Sequence, residues 1–405
     1  MQTSTKRTLK YIGKNDLFKE VMEKLSTNHE MTNKEKSFIL SCGIAFFNEY
    51  KKDKRHLTYA DISYYIFLKY SLQYKDYRPL FDFAVNFGFY PIVKTILKND
   101  LLDSFSVENS LIDNKINKYR HGSGYIETFH QFEERNLFID DASDQKSYIA
   151  PTSFGKSSVI AEYIENIPEY ASKKIAIIVP TKSLLMQTYK SIRDSQINSN
   201  IIIHDDMHKD DMSFIAIFTQ ERALRLSNKE VLFDVLIIDE AHKIFEKGRG
   251  ILLSRLLRKN YILNNDQKVI YLSPLVEDSN NLIINTGQQI TSHEIHFNLK
   301  EPEFFEYQEK TKKVYQYNRF VDDFYNKDEE YENIFSYIKE KSQNKNFIFE
   351  NNPHDIEKMS YKICNSGYFN LHQEDLELRK LKNILSDMEG TPIVHTPLDT
   401  HILTN

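Results

Sequence analysis

The sequence predicts an α/β protein, in which a parallel-sheet domain follows an all-helical N-terminal region. Three observations predict it. Residues 147–158, SYIAPTSFGKSS, run from apolar residues into a small-residue loop closed by Gly155, Lys156 and Ser157, and a helical pattern opens behind it. Residues 232–246, LFDVLIIDEAHKIFE, form an apolar strand that ends in Asp239, Glu240, Ala241 and His242. Up to about residue 102, apolar residues recur at spacings of three and four, the period of amphipathic helices.

The helical region divides readily. VMEKL, KSFILSCGIAFFNEY and DISYYIFLKYSL each predict a helix, with Thr58 or Asp61 as the cap of the third. RPLFDFAVNFGFYPIVKTIL predicts a helix, a turn around Gly88 and Pro91, and a second helix. No second copy recurs at a fixed period, so a repeat array is not indicated. Residues 1–112 are read as a helical accessory domain and the polar stretch 113–127 as a linker. The run Lys51, Lys52, Lys54 and Arg55 is either a solvated helix end or a docking surface for a partner or nucleic acid.

Composition bounds the class. With 405 residues the chain holds two or three domains and a large core. Hydrophobic residues at 40% and charged residues at 27% describe a globular chain. The net charge of −5 does not announce a nucleic-acid binder, yet a local basic groove would suffice for one. Cys42 and Cys364 are the two cysteines, with no CxxC pair, so neither a disulfide framework nor a zinc site is indicated. The N-terminus MQTSTKRTLK lacks the apolar core of a secretory signal, and no apolar run approaches membrane-spanning length. A cytoplasmic protein is expected.

The 147–158 stretch reads as a phosphate-binding loop. Backbone N–H groups at a helix start point at phosphates, a lysine reaches the β/γ oxygens, and a hydroxyl holds Mg²⁺. The loop departs from the usual G-x-x-x-x-G-K-[ST] pattern in carrying Ala150 at the first glycine. Thr152, Ser153, Phe154, Gly155, Lys156, Ser157 and Ser158 are the candidate ATP contacts. Asp239 and Glu240 follow four apolar residues at a strand's C-terminal end, where open α/β sheets place their ligands.

The string APTSFGKS followed by DEAH resembles the first motor domain of superfamily 2 helicases, the DEAD/DEAH group. Its flavour resembles the helicase subunits of bacterial antiphage defence systems such as Hachiman. The resemblance covers residues 128–282 and implies a RecA-like ATP-binding domain over 128–298. It implies that Ser157 and Asp239 hold Mg²⁺, that Glu240 orients or deprotonates the attacking water, and that Lys156 serves the phosphates. His242 resembles the residue that couples the nucleotide site to the next motif. Gln131, 25 residues before Lys156, matches an adenine-reading glutamine, with an exposed helix glutamine as the alternative. Pro180, Thr181 and Leu184 match motif Ia, and Thr219, Gln220 and Arg222 lie where motif Ib falls. The family holds DNA or RNA phosphates there without reading bases. Arg222 is either such a contact or a structural salt bridge. Gly248, Arg249 and Gly250 repeat an RG pair of related helicases. Ser273-Pro274-Leu275 stands where the family has S-A-T, which puts strand separation in doubt but not ATP binding.

Residues 299–405 are expected to bridge into an incomplete second RecA-like domain, with residues 347–349 as its first strand. No string resembling Q-x-x-G-R-x-G-R occurs, and the expectation is a C-terminally truncated motor that hydrolyses ATP slowly or is completed by another polypeptide. Three functions remain open. One is an ATP-dependent helicase or translocase. Another is a non-motor ATP-binding switch that docks a partner such as a nuclease. The third is an inactive fragment.

Overall fold

The structure is a computed structural model describing residues 15–372, except 103, 105, 123, 153, 210–212, 275, 286, 344, 345, 350 and 369, together with 402–404. The chain divides into two compact units, Cys42–Glu301 and a second that joins Met1–Ser41 to Pro302–Asn405.

Helix α1 (Asp16–Thr27) belongs to the second unit. Helices α2 (Asn33–Lys52), α3 (Leu57–Tyr74), α4 (Arg78–Phe87), α5 (Tyr90–Lys98) and α6 (Val107–Ile116) follow in order, and the division at Ser41/Cys42 falls within α2. The cap of α3 is His56, without a side-chain bond, so neither Thr58 nor Asp61 caps it; both lie inside the helix. Gly88 ends α4 in the left-handed region at φ +90°, and Pro91 sits in the first turn of α5. Phe83, Phe87 and Phe89 build an aromatic core that reaches His130 and Phe297, with Phe87 and Phe297 centroids 4.6 Å apart and edge-on. Residues 42–112 therefore share one unit with the nucleotide-binding domain, and the expected boundary at 112/113 does not separate compact bodies. Nor is 113–127 a free linker. Ile116 and Tyr119 are buried, and Arg120 pairs with Ile126 across a tight turn.

Helix α7 (Phe129–Asp140) leads into a seven-stranded sheet. Its strands are β1 (Gln145–Ile149), β2 (Lys174–Ile178), β3 (Ile201–Ile202), β4 (Phe214–Phe218), β5 (Val235–Ile238), β6 (Lys268–Ser273) and β7 (Thr291–Glu294). The order is β3-β4-β2-β5-β6-β1-β7, and every neighbouring pair is parallel. Both faces are covered. Ile175, Ile177 and Val179 face a core with α8 (Lys156–Asn166) and α9 (Lys182–Arg193). Ala176 and Ile178 face the opposite core, with α10 (Gln220–Asn228) and α11 (Arg249–Leu263). Two-sided burial is why these strands read as continuous apolar runs. Each fully buried isoleucine contributes roughly 2 kcal/mol. Strand β1 is the exception, because Lys146 and Ser147 are buried within it. Lys146 Nζ donates to the carbonyls of Phe138 and Asp141, and Ser147 Oγ bonds Ser279 and Ser292. The fold is thus the RecA-like α/β class expected, with helices before it and part of a second domain after it.

In the second unit, α1 buries Phe18, Val21, Met22 and Leu25, and Asn318 donates to Ser26 Oγ at 2.7 Å. Residues after 302 form an antiparallel meander of β8 (Phe304–Gln308), β9 (Lys313–Asn318) and β10 (Asp323–Glu330). The meander occupies the stretch expected to bridge. Helices α12 (Ile334–Lys341) and α13 (Pro353–Asn365) match the helical patterns there. The expected strand at 347–349 is absent: these residues are not in a strand, and Phe347 and Phe349 are exposed. The final strands are β11 (Asn370–His372) and β12 (Ile402–Thr404), paired antiparallel.

A Cβ at Gly88 would lie 2.4 Å from Phe129 Cβ, on a backbone that L side chains rarely adopt. Gly88→Val should therefore destabilise the chain by about 3 kcal/mol. Urea unfolding of the full chain checks this, and an unchanged midpoint would contradict it.

Candidate functional site

The strand order decides what meets at the sheet's C-terminal edge. Strand β6 lies between β1 and β5, so its last residue, Ser273, separates the loop after β1 from the carboxylates after β5. On the other side, β2 and β4 continue the edge. Backbone bonds extend the ladder beyond the strands: Ala150 N–H donates to the Ser273 carbonyl, and Asp239 N–H to the Ile178 carbonyl.

Gly155 closes the phosphate loop at φ +75°, and a Cβ there would lie 2.9 Å from the Tyr125 hydroxyl. Lys156 opens α8 and is buried. Its Nζ donates to the carbonyls of Ala150 at 2.9 Å and Pro151 at 3.2 Å. Burial lowers its pKa, while Glu240 and Asp239 pull it back up. Ala150, in place of glycine, is fully buried at the end of β1. Thr152 and Ser157 are exposed, so the Ser157 hydroxyl is open to a ligand. Phe154 differs from the expectation, because its side chain belongs to the hydrophobic core and only its backbone remains for the loop. Ser158 Oγ donates to the Gly155 carbonyl at 2.7 Å, a loop-closing task. Ser153 lies outside the described residues.

Gln131 is buried rather than exposed on its helix. It closes a capping box in which the Gln131 N–H donates to Thr128 Oγ1 and Gln131 Oε1 accepts from the Thr128 N–H. Its carbonyl oxygen is therefore already engaged. Next to it, Arg135 pairs with Glu127 and Glu162 in a buried network.

Asp239 stands half-buried at the end of β5. Loss of solvent, and then the neighbouring Glu240 charge, push its pKa up to about 6; the Glu240 N–H and Lys156 oppose them. Glu240 takes the left-handed backbone at φ +54°, uncommon for a residue with a side chain. His242 lies in the tight turn Ala241–Phe245. Its Nδ1 is 3.1 Å from Ser273 Oγ and 3.4 Å from Glu240 Oε2. The ring thus bridges the DEAH turn and the end of β6.

Pro180, Thr181, Thr219 and Arg222 line one cavity of about 570 Å³ at the ends of β2 and β4, together with Lys182, His204 and Arg249. Thr181 caps α9 through the Leu184 N–H, whereas the Thr219 side chain makes no cap bond. Among the described residues Arg222 forms no salt bridge; it donates to the Ile203 carbonyl at 2.6 Å. Arg249 had no role assigned from the sequence. It donates to the Pro180 carbonyl at 3.1 Å, tying the start of α11 to the loop after β2. No local signal reveals that contact, because its partner is 69 positions away.

No cluster of three or more His, Cys, Asp or Glu side chains able to hold a metal occurs among the described residues. A carboxylate at Asp239 and an exposed hydroxyl at Ser157 are donors that fit a cation held mainly by phosphate and water oxygens, as Mg²⁺ is. Among the described residues, no helix is long and apolar enough to cross a membrane.

Residues 126–282 match the model of the DEAD/DEAH box helicase family. Among solved structures, the chain is similar to S. cerevisiae Dbp5 bound to RNA and ADP BeF3, at 17% identity over 42% of this chain and 47% of that one, with a TM-score of 0.35. It is similar to a hypothetical ATP-dependent RNA helicase from Sulfolobus tokodaii at 22% identity, over 45% of this chain and 57% of that one, with a TM-score of 0.34. The UvsW helicase from bacteriophage T4 is similar at 22% identity, over 51% and 78%, with a TM-score of 0.32. The chain spans about half the length of the first of these structures. No curated protein matches the sequence.

The raised Asp239 pKa has a stability consequence. The folded state holds this proton up to about pH 6, whereas the unfolded carboxyl loses it near 3.8. Ionised Asp239 therefore costs the fold about 3 kcal/mol above pH 6 and nothing below pH 3.8. Asp239→Asn should raise the thermal midpoint at pH 8 and leave it unchanged at pH 3.5. Equal shifts at both pH values would contradict the assignment.

Proposed function

We propose that residues 128–298 are the ATP-binding first motor domain of a superfamily 2 helicase or translocase, and that this domain moves on DNA or RNA. The observation that carries this reading is the edge order of the sheet. The ends of β4 and β2 frame a cationic cavity, and the ends of β5, β6 and β1 carry Asp239, Glu240, Ser273 and the Lys156 loop.

In this reading Lys156 exchanges the Ala150 and Pro151 carbonyls for phosphate oxygens of ATP, which satisfies a buried ammonium with stronger, charged acceptors. Ser157 and Asp239 would hold Mg²⁺, whose chemistry is to neutralise charge on the β- and γ-phosphates. Glu240 accepts a proton from the attacking water. His242 senses that carboxylate on one side and Ser273 on the other. Lys182, Arg222 and Arg249 supply cations for the backbone phosphates of the strand. Gln131 would offer the adenine only its amide N–H₂ group unless the capping box opens.

The overall resemblance to helicase subunits of antiphage defence systems extends this reading to a role in such a system, with a nuclease as partner. A second reading is a nucleotide-gated adaptor without strand separation. The Ser273-Pro274-Leu275 string, which lacks the family's threonine, favours it.

Lys156→Ala should abolish ATP binding in a fluorescent-nucleotide titration, and an unchanged affinity would sink the phosphate-loop assignment. Glu240→Gln should keep that affinity but lower ATP turnover by about 100-fold or more, measured with single-stranded RNA and DNA present. Normal turnover in this variant would mean that another group is the base. Nucleotide binding with no turnover in the parent chain would favour the adaptor.

A further inference from the structure

A second cavity, of about 580 Å³, lies between the Ala241–Phe245 turn and α11. Its walls combine two features rarely left to solvent together. Phe245, Ile251 and Ile262 are 58%, 69% and 82% exposed. Arg255 and Arg258, also exposed, make no ion pair among the described residues. Along α11 the positions Ile251, Arg255, Arg258 and Ile262 follow at steps of four, three and four, so they form one stripe on the helix. The acid in the lining, Glu246, is already held by Lys243. This surface is cationic on a chain whose net charge is −5, so it runs against the general composition.

The surface differs from the cavity of Thr219 and Arg222. There, polar and charged groups predominate, with the hydroxyls and cations that suit phosphates. Here the exposed apolar groups are mainly aliphatic, and an isoleucine offers no stacking face for a base. It does offer area to another protein's apolar side chains, at about 25 cal/mol per Å² buried. Two unpaired guanidinium groups beside it favour carboxylates as the flanking groups.

We propose that this groove docks an acidic segment of a partner protein, with apolar anchors seated on Phe245, Ile251 and Ile262 and carboxylates meeting Arg255 and Arg258. The groove shares the Ala241–Phe245 turn with His242, so its occupant touches the element that joins the DEAH residues to Ser273. The proposal concerns binding and does not depend on the motor being active.

The test uses a random 16-residue peptide library selected against the full chain, with counter-selection on Phe245→Ala/Arg255→Glu/Arg258→Glu. All three side chains are exposed, and a thermal melt confirms that the triple variant folds. Enriched peptides should carry net negative charge and two or more large apolar residues. The best of them, measured by fluorescence polarisation, should bind the triple variant at least about tenfold more weakly, and the loss should shrink with added salt. No enrichment, peptides without net negative charge, or equal binding to the variant would overturn the proposal. So would a self-association, or a single-stranded RNA affinity, that the triple substitution removes.

Discussion

The site depends on one strand being threaded between two others. Strand β6 pairs with β5 on one side and β1 on the other, and all three run parallel. Parallel strands deliver their C-terminal ends to the same edge, which is where open α/β sheets gather ligand-binding loops. The phosphate loop and the DEAH residues are therefore held one strand apart, with Ser273 between them. The Ala150–Ser273 and Asp239–Ile178 backbone bonds fix both loops to the ladder. Shifting β6 by one residue would exchange its two buried faces and remove Ser273 from His242.

This threading also explains the electrostatics. Lys156 is buried, and the Glu240 and Asp239 carboxylates each stabilise the ammonium that burial disfavours. Asp239 has the opposite problem, since burial and Glu240 both oppose its charge. A site with two carboxylates and one lysine is poised for additional positive charge. The Glu240 backbone, held at φ +54°, is a further conformational cost concentrated at the same spot. Costs of this kind cluster at ligand-binding sites.

Much of this was legible in the sequence, for a physical reason. Strands β2, β4, β5 and β6 are buried on both faces, so their residues are almost all apolar and stand out against the polar loops. Strand β1 was harder, because the partners of Lys146 and Ser147 are contributed by α7 and by residues more than 130 positions away. Thr128-x-x-Gln131 is a local capping-box signature and could have been read as one. Residues 113–127 have the polarity of a linker, yet Ile116 and Tyr119 anchor them to the core. At 347–349 the error ran the other way, since an apolar Phe-Ile-Phe string found no strand to pair with. The candidate ATP residues of the loop are contiguous in the sequence, which is why a local reading names them together. Arg249 joins the cavity only through the order of the strands, which no local pattern encodes.

The central claim is that the ATP residues and the cationic cavity form one device, joined through the DEAH turn, Ser273 and the Arg249–Pro180 contact. The most direct measurement is the affinity of the full chain for single-stranded RNA and DNA with and without a non-hydrolysable ATP analogue and Mg²⁺. The account predicts that the analogue changes the affinity for one of them by about fivefold or more, and that Ser273→Ala diminishes the change. The same affinity in the presence and absence of the analogue, in a chain that binds both ligands, would contradict it.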